Sequence, residues 1–204
     1  MKIAVIDYGA GNLNSVVKAL ECFDVNYIVS DSSDEIETCD AMILPGVGAF
    51  GDAMNEIKLR GLDKTLIKLS KTKPLLGICL GMQLLFEKSY EFGEFTGLGL
   101  IEGYIDKIKF NGLKIPHMGW NDLQFLNPSP LLKNSAEGEY VYFVHSYKAI
   151  TNEKYINAFT EYGETIPAVI SNKNVYGTQF HPEKSGETGL NILRAFIDIA
   201  KQGK

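Results

Sequence analysis

Pro74-Leu75-Leu76-Gly77-Ile78-Cys79-Leu80-Gly81-Met82-Gln83-Leu84-Leu85-Phe86-Glu87 is the stretch that decides the fold. Residues 74–76 read as a short buried strand, and residues 82–87 favour helix. Between them lies small-x-nucleophile-x-small, the elbow pattern, in which a tight strand-to-helix turn lifts one side chain above a sheet. Here that side chain is a thiol. A cysteine that opens a helix faces the positive end of its dipole, which favours thiolate over thiol. A buried structural cysteine is the plainer alternative, but glycine on both sides contributes nothing to a buried strand. Cys79 is therefore expected to be a nucleophile.

The flanking chain supplies the sheet that an elbow needs. Residues 3–7 read as a first buried strand, and Leu13, Val16, Val17, Leu20 and Phe23 share one helical face. Residues 25–29 and 40–44 read as two further strands and residues 59–69 as a helix. Residues 101–110, an Asn111-Gly112 turn and residues 113–115 suggest a hairpin. Apolar strands are expected over residues 140–144, 155–159, 168–171 and 175–180, and a helix over 187–200. Residues 89–99 form a polar loop placed to cover a site. Parallel units first and a meander later imply an α/β fold, with one mixed, mostly parallel central sheet flanked by helices.

At 204 residues a single domain is expected. A net charge of -5, with no basic run, excludes nucleic-acid or acidic-membrane binding as an electrostatic function. Asp7 comes too early for a signal peptide, and no apolar run approaches the ~18 residues of a membrane span. Cys22, Cys39 and Cys79 are odd in number and lack metal-ligand spacing. Cys22 and Cys39 read as structural, with no metal site and a cytoplasmic location.

Two glycine-rich turns are candidate sites. Gly9-x-Gly11 follows a strand, opens a helix and has Asp31 about 20 residues further on, as dinucleotide sites do. Asn14 stands where the third glycine belongs, which makes a simple turn the competing reading. Pro45-Gly46-Val47-Gly48-Ala49-Phe50-Gly51 ends a strand, and its backbone N–H groups can point at a ligand. It is the natural source of an oxyanion donor for Cys79.

A cysteine nucleophile needs an imidazole to accept its proton and return it to the leaving group. His181 is followed by Glu183, and residues two apart in extended chain point the same way. The carboxylate can thus orient the ring. His145 has no acid within four residues, and His117 has only Asp122 nearby. Spacing favours His181, and each of the three can also be an ordinary hydrogen-bonded loop histidine.

Gly77-Ile78-Cys79-Leu80-Gly81-Met82-Gln83 and Tyr176-Gly177-Thr178-Gln179-Phe180-His181-Pro182-Glu183 together resemble the class I glutamine amidotransferases, and the resemblance covers essentially the whole chain, residues 1–204. It implies a single-domain, flavodoxin-like fold. Within the class, residues 7–12, 45–50, 116–121 (Pro-His-Met-Gly-Trp-Asn), 143–147 and 181–185 are similar to the glutaminase subunits of imidazole glycerol phosphate synthases.

The resemblance implies a triad of Cys79, His181 and Glu183 that hydrolyses glutamine through a γ-glutamyl thioester. An oxyanion hole would come from Leu80 and from Val47 or Gly48. Gly46, Gln83, Glu91, Ser146 and Tyr147 would hold glutamine. No cofactor or metal is implied. The implied partner is a (β/α)8-barrel cyclase that receives the ammonia and makes imidazole glycerol phosphate and aminoimidazole carboxamide ribotide in histidine biosynthesis. Asn12, Met118, Trp120, Tyr142 and Lys184 would contact that partner or line the ammonia channel. Trp120 in a glycine-flanked loop suits an interface anchor, or equally a core position. An oxyanion loop misaligned until the partner docks would give slow basal hydrolysis and strong stimulation. The competing functions are a dinucleotide enzyme using Gly9-x-Gly11, a non-catalytic subunit, a cysteine hydrolase with another substrate, and a glutaminase for a different ammonia acceptor.

Overall fold

The computed structural model describes residues 1–9, 11–109 and 112–202. In chain order its elements begin with β1 (Lys2–Ile6), α1 (Leu13–Leu20), β2 (Asn26–Ser30), α2 (Ser33–Glu37) and β3 (Ala41–Gly46). Next come α3 (Phe50–Leu59), α4 (Leu62–Leu69), β4 (Leu75–Cys79) and α5 (Leu80–Gln83). The middle of the chain holds β5 (Phe86–Ser89), β6 (Phe95–Thr96), β7 (Ile101–Lys107), β8 (His117–Asp122) and β9 (Gln124–Phe125). It closes with β10 (Tyr140–His145), β11 (Tyr147–Ile150), β12 (Ile156–Glu161), β13 (Thr165–Asn172), β14 (Val175–Thr178) and α6 (Gly186–Gln202).

An eight-stranded sheet in the order β2-β1-β3-β4-β14-β13-β12-β9 runs through the centre. Its first five strands are parallel, and the last three continue antiparallel. Strand alternation assigns neighbouring residues to opposite faces. Ala4, Ile6, Met42 and Leu44 face α3 and α4, while Ile3, Val5, Ala41 and Ile43 face α1 and α6. Both layers are closed by amphipathic helices, with Met54, Ile57 and Leu66 on one side and Val16, Leu20, Leu193 and Phe196 on the other. Full burial of each such side chain contributes roughly 1.5–3 kcal/mol. The α/β class, the mixed mostly parallel sheet and the elbow agree with expectation.

Four expectations need correction. Among the described residues there are three sheets instead of one, because β11-β7-β5-β6 and β10-β8 form separate small sheets. The hairpin between 101–110 and 113–115 is not formed. β7 instead pairs with β11 and β5, and residues 113–115 are not strand. Its Phe110 and Asn111 lie outside the described residues. The elbow helix stops after a single turn at Gln83, and Phe86–Ser89 is strand. Leu84, Leu85 and Phe86 are wholly buried, and such a continuous apolar run fits a buried strand as well as a helix. Finally, α3 begins directly at Phe50, where only a glycine loop was expected. Phe50, Ala53, Met54 and Ile57 are its buried stripe at 3, 4 and 7 positions from the first.

Candidate active site

The elbow is real and strained. Cys79 ends β4 with φ 53° and ψ -109°, a left-handed conformation that costs a non-glycine residue of order 1–3 kcal/mol. Its two glycines are required by close approach. A Cβ on Gly77 would lie 2.5 Å from the Gly81 carbonyl oxygen, and one on Gly81 only 1.8 Å from that of Leu44. The turn can therefore nest against β3, where Gly46 pairs with Cys79. Gly46 itself is pinned, since a Cβ there would meet the Gly81 nitrogen and the Tyr8 hydroxyl, each at 2.7 Å.

Cys79 opens into a cavity of about 600 Å³, within the range of small-molecule sites. Val47, Gly48, Leu80, Gln83 and Glu91 line it from the elbow side, and Ser146, Tyr147 and His181 from across. Gly48 has φ +102° with open space where a Cβ would be, so its peptide can turn toward the cavity. Gly46 is not part of the wall and lies behind it, against Leu80 and Gly81. Glu91 does line the wall, and its carboxylate also accepts the Phe50 N–H at 2.7 Å, tying the covering loop to the start of α3. Burial raises its pKa, partly countered by that hydrogen bond.

The three histidines are sorted by their ring nitrogens. His181 Nδ1 meets the Glu183 carboxylate at 2.8 Å, with both side chains almost fully enclosed. Its Nε2 has no nitrogen or oxygen partner among the described residues. Burial opposes the imidazolium, but hydrogen bonding and charge from Cys79 and Glu183 outweigh it and raise the His181 pKa to about 9. His145 also lines the cavity, with both nitrogens engaged. Nδ1 meets the Tyr147 carbonyl at 2.8 Å, which can only accept, so Nδ1 carries the proton. Nε2 must then accept from His117 Nδ1 at 3.2 Å. His117 is stacked between Phe143 and Tyr162. Burial lowers the pKa values to about 3 for His145 and about 4 for His117, so both rings are neutral near pH 7.

Gln179 was not anticipated as a site residue. It is wholly buried, and its Nε2 lies 3.8 Å from the Cys79 sulfur. Its oxygen accepts from Gln83 Nε2 at 3.0 Å, and the same Gln83 nitrogen donates to the Tyr147 carbonyl at 3.1 Å. The two-residue spacing between Gln179 and His181 was the available signal, the same spacing that links His181 to Glu183.

Beside the cavity, Met118 and Trp120 on β8 face Val144 and Tyr142 on β10 across the two-stranded ribbon. Both Met118 and Trp120 are more than half exposed, and Trp120 packs edge-on against Tyr142 at 6.1 Å. Trp120 is thus a surface residue. The Tyr142 backbone bonds to His181 and Ser185, which bracket exposed Lys184, and Asn12 is the N-cap of α1.

Asp31, the acid of the candidate dinucleotide site, is held by Arg60 at 3.0 Å. That guanidinium lies 3.0 Å from where a Cβ on Gly9 would be, so it covers the glycine turn. Ala10 lies outside the described residues. Cys39 is buried as a structural cysteine should be, but Cys22 is exposed, contrary to its reading as a packing residue.

A family model described as glutamine amidotransferase class-I matches residues 4–199. The chain is 49% identical over 199 residues to the imidazole glycerol phosphate synthase subunit HisH of Listeria monocytogenes serotype 4a, covering 97% of this chain and 95% of that protein. It is 50% identical over 209 residues to the protein of the same name from Bacillus subtilis, covering 99% and 98%. Among solved structures, a glutamine amidotransferase superimposes with a TM-score of 0.77 at 18% identity, covering 97% of this chain and 98% of that one. PurLQS from Thermotoga maritima superimposes at 0.74 with 21% identity, covering 97% and 98%. At such identities these two structures speak for the fold.

Proposed function

The chain belongs to the class-I glutamine amidotransferases, and on that premise we propose that it is the glutaminase subunit of an imidazole glycerol phosphate synthase. Residues 1–204 act as one amidotransferase domain. The observation that carries the proposal is the convergence of Cys79 and His181 on one cavity, with Glu183 bonded to the far nitrogen of the histidine ring.

The Cys79 sulfur, its proton already held on His181 Nε2 as the imidazolium, attacks the side-chain amide carbon of glutamine. The developing oxyanion is taken up by the N–H of Leu80 and that of Val47 or Gly48, each donor being worth about 3 kcal/mol. His181 then protonates the amide nitrogen, which leaves as ammonia, and a thioester remains. Water adds to the thioester, giving its proton to His181, and the sulfur departs with the bonding electron pair to be reprotonated as glutamate leaves. Glu183 keeps the imidazole in the tautomer with Nε2 free and stabilises the imidazolium. Gln83, Glu91, Ser146 and Tyr147 hold glutamine in the cavity, and Gly46 shapes the loop from behind.

Ammonia released to water would become ammonium and lose its nucleophilicity, so a partner must receive it directly. We assign that role to a (β/α)8-barrel cyclase docked over Asn12, Met118, Trp120, Tyr142 and Lys184. The exposed Trp120 supports an anchor at that surface. Among the described residues no helix is long and apolar enough to cross a membrane, and a cytoplasmic location is part of the same proposal.

The test is glutamate release by the wild type and Cys79→Ala, each with and without the cyclase and its nucleotide substrate. The wild type should be slow alone and strongly stimulated by the loaded cyclase, and Cys79→Ala should be inactive in both states. Residual glutaminase in Cys79→Ala overturns the nucleophile, and equal wild-type rates with and without cyclase overturn the partner-dependent oxyanion loop.

A further inference from the structure

We propose that Gln179 is a catalytic residue whose carboxamide N–H holds the negative charge of the Cys79 sulfur, a role that rests on Cys79 being the nucleophile. A carboxamide has an accepting end and a donating end, and the network around Gln179 decides which one meets the sulfur. The Tyr147 backbone carbonyl can only accept, so Gln83 must turn its NH2 toward it. The second hydrogen of that NH2 reaches the Gln179 oxygen. Gln179 is left with its own NH2 directed at the sulfur, 3.8 Å away. The orientation is thus imposed from a backbone group two amides distant.

The consequence is a buried donor aimed at the sulfur. As a thiol, the sulfur makes a donor contact to the Val144 carbonyl that is long, at 4.0 Å. Once its proton has moved to His181, the charge meets the Gln179 N–H in a fully buried setting, where charge-assisted hydrogen bonds are strongest. Gln179 takes no part in the cavity wall, so it approaches the sulfur from behind and does not compete with substrate. The same contact serves twice, when the sulfur attacks with its electron pair and when it leaves the thioester with that pair.

The test is alkylation of Cys79 in the full chain by iodoacetamide between pH 5 and pH 10. Sulfur–carbon bond formation with loss of iodide is quantified on the Cys79 peptide by mass spectrometry, separately from Cys22 and Cys39. Glutamine and cyclase are not needed, so failure of the glutaminase assignment would show in glutamate release and not here. For Gln179→Met we expect the rate at pH 7 to fall about tenfold, with the profile displaced by about one pH unit to the alkaline side and its high-pH plateau retained. Gln179→Glu, which sets an acceptor against the sulfur, should displace the profile further. A profile superimposable on that of the wild type overturns the proposal, as does an equal loss at every pH, which would mark a packing role. If one variant melts out, the other carries the test, together with Gln83→Met, which removes the group orienting Gln179. Loss of the fold in all three assigns Gln179 to the scaffold and overturns the proposal.

Discussion

Replacing Gly81 by alanine should disable the site while leaving the chain folded. The added methyl would sit 1.8 Å from the Leu44 carbonyl oxygen and 2.8 Å from its carbon, where ordinary contact starts near 3.4 Å. Both partners are backbone atoms, so no rotamer change relieves the overlap, and the elbow must move from β3 by about 1.6 Å, the difference between 3.4 Å and 1.8 Å. Overpacking of this kind costs about 3 kcal/mol, the upper end of its usual range. In a chain of this length that is a fall in melting temperature of roughly 10 °C. The displaced element carries Cys79 and the Leu80 N–H, and a misplacement of ~1 Å at a reacting group costs about 100-fold in rate. Glutamate release in the presence of the cyclase should therefore drop by about two orders of magnitude, measured beside thermal melting. Gly61→Ala is the control. Gly61 has φ +69° but nothing within 4 Å of its Cβ position, so it should cost only the ~1–2 kcal/mol of left-handed strain and spare activity. A Gly81→Ala protein within threefold of wild-type activity would refute the argument that close approach of backbone fixes the nucleophile.

Two further outcomes follow from the titrating groups. His181 is held protonated up to about pH 9 by Cys79 and Glu183 against the effect of burial. Glutaminase activity should decline as pH rises through that value, and Glu183→Gln should lower the rate and bring the decline to lower pH. An unchanged alkaline limb in the pH–rate profile would refute the coupling. Stability should peak near pH 6.5–7. The depressed pKa values of His117 and His145 mean that, as pH falls from about 6.5 toward 4, the unfolded chain takes up protons that the folded chain refuses. That costs about 1.4 kcal/mol per pH unit for each ring. His181 has the opposite sign, its contribution being full below about 6.5 and lost as pH rises through 9, so the acid side should be the steeper. Urea unfolding midpoints that rise steadily from pH 5.5 to pH 9 would contradict this.

Much of the site was legible because its signals are local. The elbow follows from two glycines within five positions, since their missing Cβ atoms are what let the turn touch β3. The His181–Glu183 pair follows from a spacing of two, and the helical stripes of α1 and α6 from a period of 3.6. Leu84-Leu85-Phe86 misled because an unbroken apolar run carries no period: Leu84 and Leu85 turn the chain, and the strand that starts at Phe86 is decided by pairing with β7. The failed hairpin has the same origin, because β7 finds better partners in β5 and β11 than in the segment that follows it.

By itself, then, the chain's order of residues determined where a thiol would be lifted and which carboxylate could orient a ring beside it. Backbone freedom and side-chain periodicity act over a few residues and need no knowledge of the fold. Only the tertiary structure decided that His145 and His117 satisfy each other and a carbonyl while His181 Nε2 has no nitrogen or oxygen partner among the described residues. It also decided that Gln179 faces the sulfur, through partners 64, 96 and 100 positions apart. Hydrogen-bond donors and acceptors are paired by proximity in space, and which pairs form is settled only when distant segments have packed.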